Sequence, residues 1–160
     1  MLNKIILRSI QSADLEALTQ LFFETVHKVN VKDYTQEQLQ AWAPSNIHHS
    51  HPRWQKLLSN IAVIAEIGDY IVGFGDMTHE GYLDRLFVHK NYQRRGIASL
   101  IVQSLEVSAR NRGITSITTE ASITAKPFFE SKGYRIIQEQ QKKHSGVILT
   151  NYLMEKNLTT

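Results

Sequence analysis

Val88–Gly113 reads VHKNYQRRGIASLIVQSLEVSARNRG. It leaves a β-like end, crosses a polar turn and sets Arg94 and Arg95 beside Gly96. It then runs on with Ile97, Leu100, Ile101 and Leu105 at helical spacing. Gly113 stands where a helix stops in the left-handed region, so the spacing predicts a helix from about Gly96 to Arg112. A helix start carries N–H groups without intrahelical partners and the positive end of a dipole, which suits an oxyanion. Gly96 has no Cβ to block the approach, and Ala98 is nearly as small. Arg94 and Arg95 can add charge-assisted bonds. On these residues alone the pattern serves equally as a helix start with surface arginines. The phosphate fingerprints G-x-x-x-x-G-K-[ST] and G-x-G-x-x-G after a strand are both missing from the chain.

Outward from this segment, KIILRSI (Lys4–Ile10) reads as an opening strand. Leu15, Leu18, Phe22 and Val26 mark a helix over Ser12–Val29, with Ser12 or Asp14 as its cap. YTQEQLQAWA (Tyr34–Ala43) is a second, short helix with a Thr35/Gln38 capping box, ended by Pro44. PRWQKLLSN (Pro52–Asn60) is a helical turn. Ile61–Gly68, Tyr70–His79 and Gly81–His89 follow as three strands, and Gly73 and Gly75 suggest a bulge or a close backbone approach. Ile114–Ser122 is the next strand and Thr124–Gly133 a short helix. Tyr134–Gln141 and Gly146–Lys156 are two last strands.

The chain has 160 residues, 42% hydrophobic and 21% charged, as expected of a single domain over residues 1–160. It contains no cysteine, which excludes disulfides and thiolate chemistry. No apolar leader follows MLNK and no run is long enough to span a bilayer, so the expectation is a cytoplasmic protein with no membrane partner. A net charge of +3 is scattered apart from the arginine pair and QKKH at 141–144, which fits a small anionic ligand at least as well as a polyanion; no nucleic-acid partner is expected, and a nucleic-acid-binding domain is kept as a rival reading. HHSH at 48–51 lacks a matched acid or helically spaced histidine, so no metal is expected.

LDRLFVHKNYQRRGIASLIVQSLE resembles motif A of the GNAT superfamily, the acyl-CoA-dependent N-acetyltransferases, with Gln93–Ala98 as its [QR]-x-x-G-x-[GA] turn. AKPFFESKGY (Ala125–Tyr134) is similar to the second signature, A-x-x-F-Y-x-x-x-G-F. The chain is similar in particular to a bacterial branch of that superfamily. The resemblance covers essentially the whole chain. It implies an α/β (α+β) fold: a mixed, mostly antiparallel sheet of about seven strands, splayed between strands 4 and 5 and flanked by about four helices. It implies acetyl-CoA as co-substrate and an amine-bearing acceptor. Pantetheine would pair with Leu86, Phe87 and Val88, and the pyrophosphate would sit on the amides of Arg94, Arg95, Gly96, Ile97, Ala98 and Ser99, with Gln93 nearby. An amide near Phe87 or Val88 would polarise the acetyl carbonyl, and Phe129 would lie near the thiol.

The chemistry is amine attack on a thioester, which needs a base. Period-two alternation puts Glu80, Tyr82 and Asp84 on one face of their strand, where many GNAT enzymes carry a base, and Glu120 could point into the same cleft. A carboxyl in an apolar cleft would have a raised pKa. Each also has a structural alternative: Glu80 in a turn, Asp84 paired with Arg85 or Arg135, and Tyr82 packing. The family often has a tyrosine acid at the place of Phe129 and an asparagine where Ser122 and Thr124 stand. Tyr82 and Tyr134 are the substitute acids, unless the thiolate leaves unaided. The rival reading is a non-catalytic acyl-CoA-binding module. The acceptor side draws on Phe22, Phe23, His27, Tyr34, Trp42, His48, His49, His51 and Trp54, an aromatic set suited to an apolar or cationic amine. C-terminal strands such as GVILTNYLMEK could exchange or pair between the subunits of a homodimer.

Overall fold

The computed structural model describes residues 4–159. Residues 1–3 and 160 of the expected domain lie outside it. Seven strands form one sheet in the order β1-β2-β3-β4-β5-β7-β6. They are β1 (Ile5–Ser9), β2 (Ile61–Ile67), β3 (Tyr70–Met77), β4 (Tyr82–Val88), β5 (Ser116–Ser122), β6 (Arg135–His144) and β7 (Val147–Asn157). Every pairing is antiparallel except β4 with β5. Among the described residues five α-helices accompany it: α1 (Leu15–Lys28), α2 (Gln36–Trp42), α3 (Pro52–Gln55), α4 (Ile97–Asn111) and α5 (Lys126–Ser131). Among the described residues no helix is long and apolar enough to cross a membrane.

Two apolar layers clamp the sheet. Ile97, Ile101, Val102, Leu105 and Ala109 of α4 pack with Phe129 of α5 on Val63, Ala65, Val72 and Met77. On the other face Leu15, Leu18, Phe22 and Val26 of α1 pack with Leu39, Trp54, Ile64 and Phe74. Ile64 lies between Val63 and Ala65 yet faces the opposite layer, as strand alternation requires. The glycines of β3 serve close approach: a Cβ on Gly75 would lie 2.8 Å from Ile101 Cγ2 and 3.0 Å from the Arg85 carbonyl. They let α4 lie against the strand backbone.

Local signals agree with the sequence in most places. Thr35 Oγ1 accepts from Gln38 N–H at 3.2 Å and Gln38 Oε1 from Thr35 N–H at 2.9 Å, the expected capping box. Asp14 behaves otherwise: its carboxylate accepts Gln11 N–H and pairs with Arg8 at 2.8 Å, and it does not cap α1. QKKH completes β6. A two-residue turn at Ser145 and Gly146, both at positive φ, joins β6 to β7. β7 lies between β5 and β6, so the two edge strands of the sheet are β1 and β6.

Candidate active site

β4 and β5 are paired only at Tyr82–Thr118 and Leu83–Thr119. Beyond Leu83 they part. The groove between them has a volume of about 890 Å³ and runs from Glu120 and Asp84 to the start of α4. The bond from His89 N–H to the Val72 carbonyl fixes the alternation along β4, so Phe87 turns its backbone to β3. The amides of Leu86 and Val88 turn to the open side. The Val88 carbonyl agrees, since Thr25 Oγ1 and Gln93 Nε2 donate to it at 3.0 and 2.6 Å.

The start of α4 opens into this groove. Gly96 is its N-cap at φ +79°, and no side chain caps the helix. The first intrahelical bond runs from Leu100 N–H to the Gly96 carbonyl, so the amides of Ile97, Ala98 and Ser99 precede the ladder. Arg94 also lies in the left-handed region at φ +61°, a costly conformation for a residue with a Cβ and one that persists mainly where function requires it. A Cβ at Gly96 would meet nothing within 4 Å, which leaves room for an anion. The groove is lined by Leu86, Phe87, Val88, Gln93, Arg94, Gly96, Ile97, Ala98, Ser99 and Phe129. Arg95 is not in the lining; its guanidinium lies over the Tyr92 ring at 5.0 Å, and Tyr92 is in the wall. Lys28, Asn30 and Lys32, from the end of α1 and the turn after it, line the groove as well. Nothing in the α1 pattern marked them, because their placement depends on the path of the chain after α1.

The expected row of Glu80, Tyr82 and Asp84 is broken. Met77 pairs with Leu83 and Asp76 with Arg85, so Asp84 is the extra residue of a β-bulge. Leu83, Leu86 and Val88 consequently pack on the α4 layer with an offset of three. Glu80 is exposed in the turn before β4, away from the groove. Tyr82 is not in the lining either; its hydroxyl donates to Glu120 Oε1 at 2.7 Å. Asp84 and Glu120 do line the groove.

Their surroundings differ. Burial raises the Glu120 pKa, but Tyr82, Lys142 at 3.0 Å and Gln140 at 2.7 Å more than offset it, so the carboxyl is held below its ordinary value. That is opposite to the raised value expected of an acid in a cleft. Asp84 lies 3.4 Å from Arg85 Nη2 and keeps a third of its side chain exposed, at 33%. Arg135 pairs with Glu155 instead. Beneath Asp84 lies a pair that the sequence reading missed. Asp76, with no exposed surface, accepts from Arg85 Nη1 and Asn60 Nδ2, both at 2.9 Å. A lone acid and a lone arginine inside two apolar strands joined by a tight turn were the available signal. Burial, partly offset by Arg85 and Asn60, pushes the Asp76 carboxyl up to about 6.

Both candidate phenol acids are engaged. Burial first and the bond to Glu120 second push the Tyr82 pKa up. Burial and Glu106 do the same to Tyr134, whose hydroxyl donates to Glu106 Oε2 at 2.9 Å. Phe129 is buried in the groove wall against Phe128 and Tyr134. Thr124 Oγ1 donates to Asp33, and Ile123 N–H donates to Tyr34 Oη. On the acceptor side Phe22 and Trp54 are core, Trp42 lines the groove, and His27 Nε2 lies 2.7 Å from the Ala43 carbonyl. His48 and His49 stack in the loop, and His51 caps α3 by accepting Arg53 N–H.

Comparison with known proteins follows the same lines. The family model described as Acetyltransferase (GNAT) domain matches residues 30–156. The uncharacterized N-acetyltransferase YafP of Escherichia coli (strain K12) is 34% identical over 154 residues, covering 96% of each chain. A GCN5-related N-acetyltransferase from Rhodopseudomonas palustris has a TM-score of 0.90 at 27% identity, covering 98% of both chains. The PaiA N-acetyltransferase of Thermoplasma acidophilum, solved in complex with coenzyme A, has a TM-score of 0.74 at 18% identity, covering 96% of this chain and 99% of its own, a likeness of fold alone. With the parted strands, the uncapped α4 and these matches together, the chain belongs to the GNAT acetyltransferase family.

Proposed function

We propose that this protein, as a single cytoplasmic domain, transfers the acetyl group of acetyl-CoA to a primary amine, directly and within a ternary complex. The observation that carries the reading is the uncapped start of α4 opening into a groove whose far end is the gap between β4 and β5. The amides of Ile97, Ala98 and Ser99, with Arg94, hold the diphosphate. The free edge of β4 at Leu86 and Val88 pairs with the pantetheine amides as an added strand would. PaiA, solved with coenzyme A, has the same fold and supports the assignment of ligand class. Bound there, acetyl-CoA supplies a thioester carbon open to attack.

Asp84 accepts the proton that the amine loses, directly or through a water, as the C–N bond forms and the C–S bond breaks. Its place on the bulge, at the groove and partly hydrated, supports it over Glu120, which three donors hold as a weaker base. Glu120 instead keeps negative charge near the incoming ammonium. An open-side amide, Leu86 or Val88, stabilises the carbonyl oxygen as charge develops. The thiolate leaves without a donor, since Phe129 has no proton and both phenols already donate to carboxylates. A thiol pKa of about 8.5 makes that leaving group tolerable. No acetyl-enzyme forms on cysteine, because the chain has none. Phe129 also favours a second reading, a module that binds acyl-CoA without turnover. Free-thiol release across an amine panel separates them: turnover supports the transferase, whereas tight CoA binding with no turnover on any amine supports the module.

A further inference from the structure

A second cavity, about 100 Å³, is lined by Phe22, Ile47, Arg53, Trp54, Asp84 and Arg85. Asp84 is the one residue that lines both this cavity and the large groove. The bulge that projects Asp84 therefore forms a shared wall between the thioester channel and a separate small chamber. At that size the chamber is far smaller than the groove of about 890 Å³, and it suits one end of a small ligand.

Charge decides what kind of group. Arg85 is already engaged: Nη1 donates to Asp76 at 2.9 Å, Nη2 donates to the Arg53 carbonyl at 2.6 Å and lies 3.4 Å from Asp84. Its guanidinium also covers the Trp54 ring at 5.3 Å, so that aromatic face is closed to a cationic ligand. Arg53 is the opposite case. Its backbone is pinned by Arg85 and by the cap at His51, yet its guanidinium has no hydrogen bond or ion pair among the described residues. Nearby Lys142 is already paired with Glu120.

We propose that the acceptor is a small amino carboxylate, its carboxylate paired with Arg53 in the second cavity and its amine beside Asp84 at the gap between β4 and β5. This rests on reading the large groove as an acetyl-transfer site. The proposal excludes a lysine side chain or a protein N-terminus as preferred acceptor, since neither carries a carboxylate next to its amine.

The test uses amino acids, their amides and their decarboxylated amines in matched sets, with two readouts: free-thiol release, and calorimetric binding to the protein saturated with CoA. The kcat/KM of an amino acid is expected to exceed that of its amide by about tenfold or more, as a charge-assisted pair warrants. Arg53→Gln is expected to abolish that preference, and Arg53→Lys to keep part of it. Amides or plain amines turned over as well as amino acids, or a preference that survives Arg53→Gln, would overturn the subsite while acetyl transfer stands. If no amine is turned over, the calorimetry decides. Amino-acid binding present in the wild type and lost in Arg53→Gln upholds the subsite and overturns the transferase reading. No amino-acid binding in the wild type overturns the subsite.

Discussion

Asp84 and Asp76 differ in burial and hence in what replacement does. Asp84→Asn keeps shape and removes the proton acceptor. Turnover is expected to fall about a hundredfold, the lower range for a positioned base, with CoA affinity within about twofold. Unchanged turnover would return the role to a water or to Glu120. Asp76 is read through stability. Its folded pKa of about 6 lies above the unfolded value of about 3.9. A raised carboxyl binds its proton more tightly in the folded chain, so its contribution is full below about pH 4 and is lost as pH rises to about 6. Wild-type stability relative to Asp76→Asn, measured by denaturant unfolding, is therefore expected to fall across that window and stay flat above it; a difference that rose there would mean that Arg85 outweighs burial. At this scale the sequence was partly legible. Gly96 announced the helix start because glycine adopts positive φ without strain. The bulge at Asp84 was invisible, since YLDRLFV keeps an ordinary strand composition and only the register with β3 reveals the extra residue. Arg53 was hidden for a related reason: a four-residue helix gives no periodicity from which to place its side chains.

α4 and β3 form the framework that positions the site. The helix lies close to the strand because Gly73 and Gly75 present no Cβ. Gly75→Ala would put a methyl 2.8 Å from Ile101 Cγ2 and 3.0 Å from a backbone carbonyl that cannot swing away. The expected cost is about 1–3 kcal/mol of unfolding free energy, measured in urea, with CoA affinity falling as the start of α4 shifts. Full stability in that variant would show that the helix has slack to retreat. Elements were the most legible scale. Apolar spacing announced α1 and α4, the capping box announced α2, and the turn signals separated the strands. The order of β6 and β7 was not legible, because both strands alternate and either could form the edge.

At the scale of the whole molecule, the groove of about 890 Å³ opens between strands that share only two residue pairs. A ligand that binds there only when the chain is folded stabilises it by mass action, about 2.7 kcal/mol at a concentration of 100 Kd. For a domain of this size that is roughly 5–10 °C in Tm. CoA is expected to produce such a shift and free adenosine is not, since it carries no diphosphate for the α4 amides. Equal shifts would place recognition on the base and away from the helix start. The most direct measurement is calorimetric titration of CoA into the wild type, Gly96→Glu and Gly96→Ala. Both variants carry the strain of a side chain at φ +79°, and neither Cβ meets a neighbour. Only the first adds a negative charge among the helix-start amides. The account predicts binding to the wild type and to Gly96→Ala, and none to Gly96→Glu at equal fold content. CoA affinity equal in all three would contradict it.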